Sequence, residues 1–357
     1  MTPQPPRYLA VMVVLLSLLL SFCQGQPAAD PVKPAVSPAP VDAKAAPRVR
    51  SLLAYLQSLE TRTEKRLLTG QFCGFGKGAT VATAERIYTA TGEHPAFIGV
   101  DYGSFEGRTL ETRIPNQVAL SYWRSGGWVT VSVHGFNPAN PKDYGLRDNG
   151  VKLDDLIRPG TPTHVSWMHQ IDQMAEGLQE LQDAGVVVLW RPFHEMNGGW
   201  FWWGAKEPAA FVRVWRHLYH TLTEVKKLHN LLWVYGPNHA ANAAAYYPGD
   251  AYVDLIGLDA YTDHVDPSHI RGYPDMAAIQ KPYGFTEFGP HGSKNPPGDF
   301  DYRRLIAGVK EHFPRTTHIL TWDDNWSPAK NRFAREYYAH PWMVNRDDLP
   351  ALDAPAP

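Results

Sequence analysis

Two glutamates stand in segments whose composition suits acid–base and nucleophilic chemistry. Glu195 lies among apolar and aromatic residues in the segment 190–204 (WRPFHEMNGGWFWWG), and Glu287 lies in the segment 284–290 (GFTEFGP). An apolar setting disfavours the charged form of a carboxyl group, and it therefore raises the pKa as a general acid requires. Glycoside hydrolysis needs two carboxyl groups that face one cavity. The pair predicts this class of reaction.

The aromatic residues that follow Glu195 favour a carbohydrate as the substrate. Trp200, Phe201, Trp202 and Trp203 are consecutive, and four such residues cannot all enter the core. Indole rings stack on pyranose rings because the sugar presents apolar C–H groups to the negative face of the ring. The alternative interpretation is a packing cluster at the beginning of a helix.

The elements that must position these residues follow a repeated pattern of a short apolar run, a loop and a helical stretch. Such near-continuous runs are typical of parallel strands buried on both faces. Eight runs occur, at residues 67–72, 96–102, 128–134, 186–191, 231–235, 253–261, 283–288 and 318–322. Amphipathic or capped helical patterns cover residues 164–183, 208–229 and 301–313. Eight strands with intervening helices predict an α/β fold, a (β/α)8 TIM barrel.

An open doubly wound sheet is the alternative fold. No G-x-G-x-x-G motif follows an early strand, and the glycine-rich segment 74–78 lacks the spacing of a phosphate-binding loop. We interpret that segment as a strand-to-helix loop. In a barrel, polar and aromatic residues at the carboxyl ends of the strands form the active face. The residues at these ends are Asp101, His134, Arg191, His194, Glu195, Asn238, His239, Asp259, Tyr261, Glu287, Trp322, Asp323 and Asp324.

Three of these segments resemble the motifs of one enzyme family. The segment RPFHEMNGGWFWWG resembles the acid/base motif of glycoside hydrolase family 26, the β-mannanase family of clan A. TEFG (286–289) resembles its nucleophile motif, and VSVHGFNP (131–138) resembles its third-strand histidine motif. Val133 stands where that histidine is usually preceded by Trp, which is a departure that affects the subsite wall.

The resemblance implies a retaining endo-β-mannanase that cleaves β-1,4-mannosidic bonds by double displacement. Glu195 would then be the acid/base and Glu287 the nucleophile. The resemblance also implies that His194 orients the nucleophile and the sugar, and that His134 and Tyr261 line the cleavage subsite. Trp322 would form a platform under the sugar, and Trp200 would lie on the leaving-group side. Asp323 occupies a position at which some mannanases use Arg for a distal sugar.

Arg191 precedes Glu195 by four residues, and its permanently charged fork is suited to hold Glu287 in the ionised form. An ion pair inside the barrel is the alternative role for Arg191. Asp259 is either a neighbour of this site or a member of such a pair. Tyr261 is placed to donate a hydrogen bond to the nucleophile.

Two further functions remain open at this stage. A non-catalytic carbohydrate-binding protein would need the aromatic residues but neither glutamate. The same barrel is also compatible with another β-glycan, such as mixed-linkage glucan or β-1,3-xylan. We predict no cofactor and no metal, because His134, His194, His239 and His264 show no H-E-x-x-H or similar ligand spacing. No G-x-S-x-G motif indicates an α/β-hydrolase.

The ends of the chain predict export. Residues 1–25 contain a 14-residue apolar run at 9–22 preceded by Arg7, the pattern of a secretory signal peptide. An uncleaved anchor or a lipidated Cys23 would instead tether the protein to a membrane. Residues 26–47 form a Pro/Ala-rich linker, 48–346 the catalytic domain and 347–357 a tail. We expect a secreted protein, extracellular or periplasmic.

Composition limits the partners. The chain has 357 residues and a formal net charge of −2, which gives no electrostatic reason to expect nucleic acid. Its two cysteines exclude a disulfide scaffold. We expect a monomer that acts on a β-mannan-type polysaccharide or oligosaccharide.

Overall fold

A parallel barrel forms the centre of the molecule. The computed structural model describes residues 39–140, 142–292 and 297–352. The strands of this part are β1 (Leu67–Phe75), β2 (Phe97–Asp101), β3 (Trp128–Ser132), β4 (Val188–Arg191), β5 (Leu231–Tyr235), β6 (Leu255–Tyr261), β7 (Tyr283–Gly289), β8 (Thr316–Thr321) and β9 (Met343–Val344). Strands β1 to β8 pair in chain order, all parallel, and β1 pairs with both β2 and β8. This closure confirms the predicted (β/α)8 TIM barrel.

Helices connect most of the strands on the outside of the barrel. In the described residues they are α1 (Pro47–Leu59), α2 (Ala82–Thr91), α3 (Arg113–Arg124), α4 (Leu153–Leu156), α5 (Pro162–Asp183), α6 (Pro208–Tyr219), α7 (Tyr273–Ala277), α8 (Arg303–His312) and α9 (Ala334–Tyr338). α5 begins where the Thr161 side chain accepts a hydrogen bond from the backbone of His164. α6 begins in the same way at Glu207, followed by Pro208.

The predicted elements agree with these bounds. Each of the eight apolar runs overlaps one strand, and the three helical patterns overlap α5, α6 and α8. The second pattern is interrupted, because α6 passes into a π-helical turn at His220–Val225. The glycine-rich segment 74–78 is the end of β1 and a 3₁₀ turn before α2, as the strand-to-helix interpretation predicts.

Two apolar layers hold the barrel together. Inward-facing strand residues such as Phe72, Leu189 and Leu232 form one cluster with the buried face of α1. This helix therefore closes the amino-terminal end of the barrel and leaves the opposite end for the site. Outward-facing residues such as Val129 and Trp190 pack with the surrounding helices in a second cluster.

The chain before α1 contacts the barrel as well. The backbone nitrogen of Val41 donates to Asp254 at 2.8 Å, and that of Ala46 donates to the carbonyl of His229 at 2.9 Å. Within the described ranges, no helix has the length and hydropathy needed to cross a bilayer. The predicted signal peptide at 1–25 and most of the linker lie outside these ranges, and the domain boundaries stay predictions.

Candidate active site

A cleft of about 680 Å³ opens at the carboxyl ends of the strands. It contains both glutamates singled out from the sequence, Glu195 from the loop after β4 and Glu287 from β7. The lining residues are His134, Arg147, His194, Glu195, Trp200, Phe201, Asn238, His239, Tyr261, Glu287, Trp322 and Trp326. Of the residues to which the sequence assigned a catalytic or sugar-binding role, all but Arg191 line this cleft, and Arg191 forms an ion pair with Glu287.

Glu195 is bound only by uncharged donors. The indole Nε1 of Trp200 donates to Oε2 at 2.6 Å, and the amide of Asn238 donates to Oε1 at 3.0 Å. The side chain is almost completely buried. Burial, and then the negative charge of Glu287, raise the pKa of Glu195 to about 7. This carboxyl group can therefore carry a proton near neutral pH.

The backbone around Glu195 is held in an uncommon conformation. Glu195 has a φ of 54°, in the left-handed region that non-glycine residues rarely adopt. Its backbone nitrogen donates to the carbonyl of Gly236 at 2.8 Å. Asn197 exchanges two hydrogen bonds with the backbone of Asn238, at 2.8 and 3.0 Å. These contacts join the loops after β4 and β5 and fix the side-chain amide of Asn238 against Glu195.

Glu287 is bound by a charged donor and a phenol. The guanidinium of Arg191 forms a hydrogen-bonded ion pair with Oε1. The hydroxyl of Tyr261 donates to Oε2 at 2.7 Å, as predicted. Charge-assisted hydrogen bonds of this kind are stronger than those between neutral groups. The carboxylate is fixed from two sides at the end of β7.

Arg191 contacts two carboxylates, which combines the ion pairs that the two alternative roles require. One nitrogen binds Glu287 and the other binds Asp259 at 2.8 Å, so the residue is also part of a buried ion pair. Burial alone would lower the pKa of Arg191, but the carboxylates of Asp259 and Glu287 outweigh it and raise the pKa. The hydroxyl of Thr286 donates to the second oxygen of Asp259 at 2.6 Å.

His134 and His194 belong to a buried chain of hydrogen bonds. Asp101 binds Nδ1 of His134 at 2.9 Å, and Nε2 of His134 lies 3.1 Å from Nε2 of His194. Burial, and then the nearby His134 and Arg191, hold the pKa of His194 well below its ordinary value. The two imidazoles therefore share one hydrogen bond between their Nε2 atoms. The predicted role of His194 in orienting the nucleophile stays a prediction, since this hydrogen bond goes to His134.

The aromatic residues divide between the cleft and the core. Trp322 stacks on Phe72 with ring centroids 4.0 Å apart and planes inclined by 5°, which fixes its orientation. Trp200 is 38% exposed. Trp202 and Trp203 are buried, and their indole nitrogens donate to backbone carbonyls. The four consecutive aromatic residues therefore do not all enter the core, as the sequence indicated.

Asp323 pairs with a cation from outside the barrel. Its carboxylate lies 3.1 Å from Nη2 of Arg86 and accepts a hydrogen bond from Thr83 at 3.3 Å, both on α2. It does not belong to the residues that line the cleft.

The histidines considered as a metal set separate in the fold. His134 and His194 contact each other, and His264 lies on the loop after β6. There it forms, with Asp266 and His269, the one group among the described residues whose ligand atoms lie within 4.8 Å of one another.

Sequence reasoning gave no role to three residues of the site. Asp101 and Asn238 were recognised only as polar strand ends, and Asn197 was not singled out. The NG pair at 197–198 is a turn signal but carries no information about its partner. The contact between Asn197 and Asn238 depends on the pairing of β4 with β5.

Comparison with known proteins gives consistent matches. The family model of glycosyl hydrolase family 26 matches residues 41–348. A mannan endo-1,4-β-mannosidase of Bacillus subtilis is 36% identical over 96% of this chain and 96% of its own length. The mannan endo-1,4-β-mannosidase A and B of Caldalkalibacillus mannanilyticus is 36% identical over 84% of this chain and 61% of its own. The solved structure of Bacillus subtilis mannanase BCman superimposes with a TM-score of 0.83 at 34% identity, covering 89% of this chain and 98% of that one.

Proposed function

This chain belongs to glycosyl hydrolase family 26, and we propose that it is an endo-acting, retaining β-mannanase that hydrolyses β-1,4-mannosidic bonds in mannans. The observation that carries the proposal is the pair of carboxyl groups in one cleft with opposite surroundings. Glu195 is buried among neutral donors, and Glu287 is paired with Arg191. The relatives that match over nearly the whole chain are named as enzymes of this activity.

The first half of the reaction forms a covalent glycosyl-enzyme. A carboxylate oxygen of Glu287 attacks the anomeric carbon while Glu195 transfers its proton to the departing glycosidic oxygen. The bond from the anomeric carbon to that oxygen breaks, and the new ester bond forms. Arg191 and Tyr261 hold Glu287 during the attack.

The second half releases the sugar. Glu195, now ionised, removes a proton from water, and the water oxygen attacks the anomeric carbon. The ester bond breaks, Glu287 leaves as a carboxylate and Glu195 regains its proton. Two inversions give retention of the anomeric configuration.

Aromatic and histidine side chains position the sugar for these steps. We assign the face of Trp322 to the sugar at the cleavage subsite, because its stacking on Phe72 fixes the ring in the cleft. We assign Trp200, which contacts the acid Glu195 and remains partly exposed, to the leaving-group side. His134 and Tyr261 line the space between them.

Secretion is part of the proposal. A polysaccharide is degraded outside the cytoplasm, and the pattern of residues 1–25 is that of a secretory signal peptide. Amino-terminal sequencing of the mature protein, exported from the full-length chain, tests it. A new terminus near residue 26 supports cleavage, and retention of Met1 supports an anchor.

The activity is tested by measuring new reducing ends from linear mannan, galactomannan, glucomannan, mixed-linkage β-glucan and β-1,3-xylan. Release from mannans alone, by random internal cleavage, supports the proposal. Release of reducing ends from another glycan alone would be compatible with the proposed mechanism but would assign a different substrate. A folded wild-type protein that releases nothing but binds mannan would make it a binding protein. Glu287→Gln is the matched inactive control, because it removes the charge and keeps the volume.

A further inference from the structure

An aromatic side chain outside the cleft is exposed at a structural cost. Phe105, in the loop after β2, is 45% exposed to solvent. Its φ is 58°, which is unfavourable for a bulky residue. Neither the acid, the nucleophile nor their hydrogen-bonding partners contact it. A single exposed apolar residue is ordinary, so the ring of Phe105 is informative only if it belongs to a larger aromatic surface.

The loop that carries Phe105 is rigidly built. Gly103 and Leu110 form an antiparallel bridge across its base. The hydroxyl of Ser104 donates to the carbonyl of Thr109 at 2.6 Å and accepts from the nitrogen of Glu106 at 3.2 Å. A Cβ on Gly76 would meet the carbonyl oxygen of Gly103 at 2.5 Å, so the loops after β1 and β2 are in close contact. The exposed ring is therefore fixed in place.

The ring of Phe105 continues the aromatic wall of the cleft. Its centroid lies 5.5 Å from that of Phe75 and 5.8 Å from that of His134. Phe75 in turn lies 5.7 Å from Trp322, across an edge-to-face contact. A continuous aromatic surface thus runs from the cleavage subsite outward to Phe105.

The barrel order decides which side of the scissile bond this surface serves. Glu195, which must face the leaving group, and its partner Asn238 come from the β4–β5 side. Trp322 follows β8, Phe75 ends β1 and Phe105 follows β2, and these three strands are neighbours in the barrel. The surface therefore extends from the cleavage subsite away from the leaving-group side, toward the non-reducing end of the substrate.

We propose that Phe105, supported by Phe75, is a stacking platform for a mannosyl unit beyond the cleavage subsite, on the non-reducing side. The proposal rests on the proposed mannanase function and extends the site from one sugar to a longer segment of the chain. The C–H face of a pyranose covers the exposed ring and removes its apolar surface from water. Longer substrates gain this contact, and a single mannosyl unit at the cleavage subsite does not.

The test uses 4-nitrophenyl β-mannoside, mannobioside and mannotrioside, which share one leaving group and differ only on the non-reducing side. In Phe105→Gly we expect unchanged kcat/KM for the mannoside. We expect about a tenfold decrease for the longest substrate, which corresponds to about 1.4 kcal/mol. Glycine adopts a positive φ without strain, so this variant removes the ring and keeps the loop conformation. Phe105→Tyr retains a stacking face and should behave as wild type.

Tyr88→Ala is the matched control, because Tyr88 is similarly exposed, at 47%, and lies on α2 among none of the cleft residues. It should leave all three rates unchanged. An equal decrease for all three substrates in Phe105→Gly, or no decrease for any of them, would overturn the platform.

Binding separates this proposal from the activity itself. Isothermal titration of β-1,4-mannohexaose into Glu287→Gln, with and without Phe105→Gly, does not depend on turnover. A roughly tenfold higher Kd in the double variant supports the platform even if the wild-type enzyme cleaves no mannan. An unchanged Kd would contradict the proposed stacking role of Phe105, even if the wild-type enzyme cleaves mannan normally.

Discussion

Glu195 and Glu287 line the same cleft, yet their surroundings differ in one decisive respect. Glu195 receives hydrogen bonds from an indole and an amide, both neutral, and its pKa rises to about 7 through burial and the charge of Glu287. Glu287 accepts hydrogen bonds from the guanidinium of Arg191 and the phenol of Tyr261. The two carboxyl groups therefore have opposite surroundings, and those of Glu195 favour its protonated form.

This difference depends on Arg191, which forms an ion pair with one of the two glutamates, Glu287. Arg191 is placed at the end of β4, four residues before Glu195, but its side chain crosses the barrel to Asp259 and Glu287. The glutamate nearer in sequence is thus not the one that it binds. In the proposed mechanism, the surroundings of the two glutamates, and not their residue type, assign the acid and the nucleophile.

The largest effect is expected from Glu287→Ala, which removes the nucleophile and should lower kcat on mannan by about 10⁴-fold or more. Added azide should restore turnover by attacking the anomeric carbon from the vacant face and give the α-mannosyl azide. Product anomers are identified by NMR, with circular dichroism as the control for folding. Turnover near that of the wild type would exclude Glu287 as the nucleophile.

Glu195→Ala should lower kcat by about 10² to 10⁴-fold on mannan, the usual contribution of a general acid. The decrease should be smallest for aryl mannosides with good leaving groups, because these need no proton. In the wild type, kcat/KM should fall as the pH rises above about 7, where Glu195 loses its proton. An equal decrease on all substrates would contradict the acid role.

Arg191→Lys tests the cation that separates the two environments. Lysine keeps the charge but cannot bind Asp259 and Glu287 with one planar fork. Losing one buried charged hydrogen bond should lower the free energy of unfolding by about 2 kcal/mol, measured by urea denaturation.

The matched control for Arg191→Lys is Arg213→Lys, which alters an exposed pair with Asp154. An exposed pair of this kind should change the stability by about 0.5 kcal/mol or less. Equal decreases in the free energy of unfolding for the two substitutions would show that the buried ion pairs of Arg191 stabilise the fold no more than an exposed pair does.

The smallest effect is expected from Trp200→Phe. The indole N–H binds the ionised form of Glu195 better than the neutral form and so lowers its pKa. Removing it should shift the alkaline limb of the kcat/KM profile upward by about half to one pH unit. The acidic limb is the internal control and should stay in place. A downward shift of the alkaline limb would contradict this arrangement.

The fold was largely predictable because each buried parallel strand corresponds to a short apolar run in the sequence. All eight apolar runs overlap a strand, and Pro208 marked the beginning of α6. The end of α6 was less predictable. The π-helical turn at His220–Val225 depends on packing against neighbouring elements, and no residue type in the sequence predicts such a turn.

The candidate site was predictable as a set of residues but not as a network. Glu195, Glu287, His134, Tyr261 and Trp322 were found because each ends or follows a strand, and strand ends meet at one face of a barrel. The support of Asn238 by Asn197 was missed, since their contact is made across 41 residues of chain.

The sequence by itself determined that eight buried strands alternate with helices and that two glutamates end the fourth and seventh of them. Local pattern is sufficient for this, because hydrophobic period and turn residues act over a few positions. Only the tertiary structure decided that Arg191 binds Glu287 and Asp259, and that His194 contacts His134. It also decided that Glu195 accepts its hydrogen bonds from Trp200 and Asn238. These are choices among partners distant in the chain. They depend on barrel closure, which sets distances and burial together and so fixes where charge is stable.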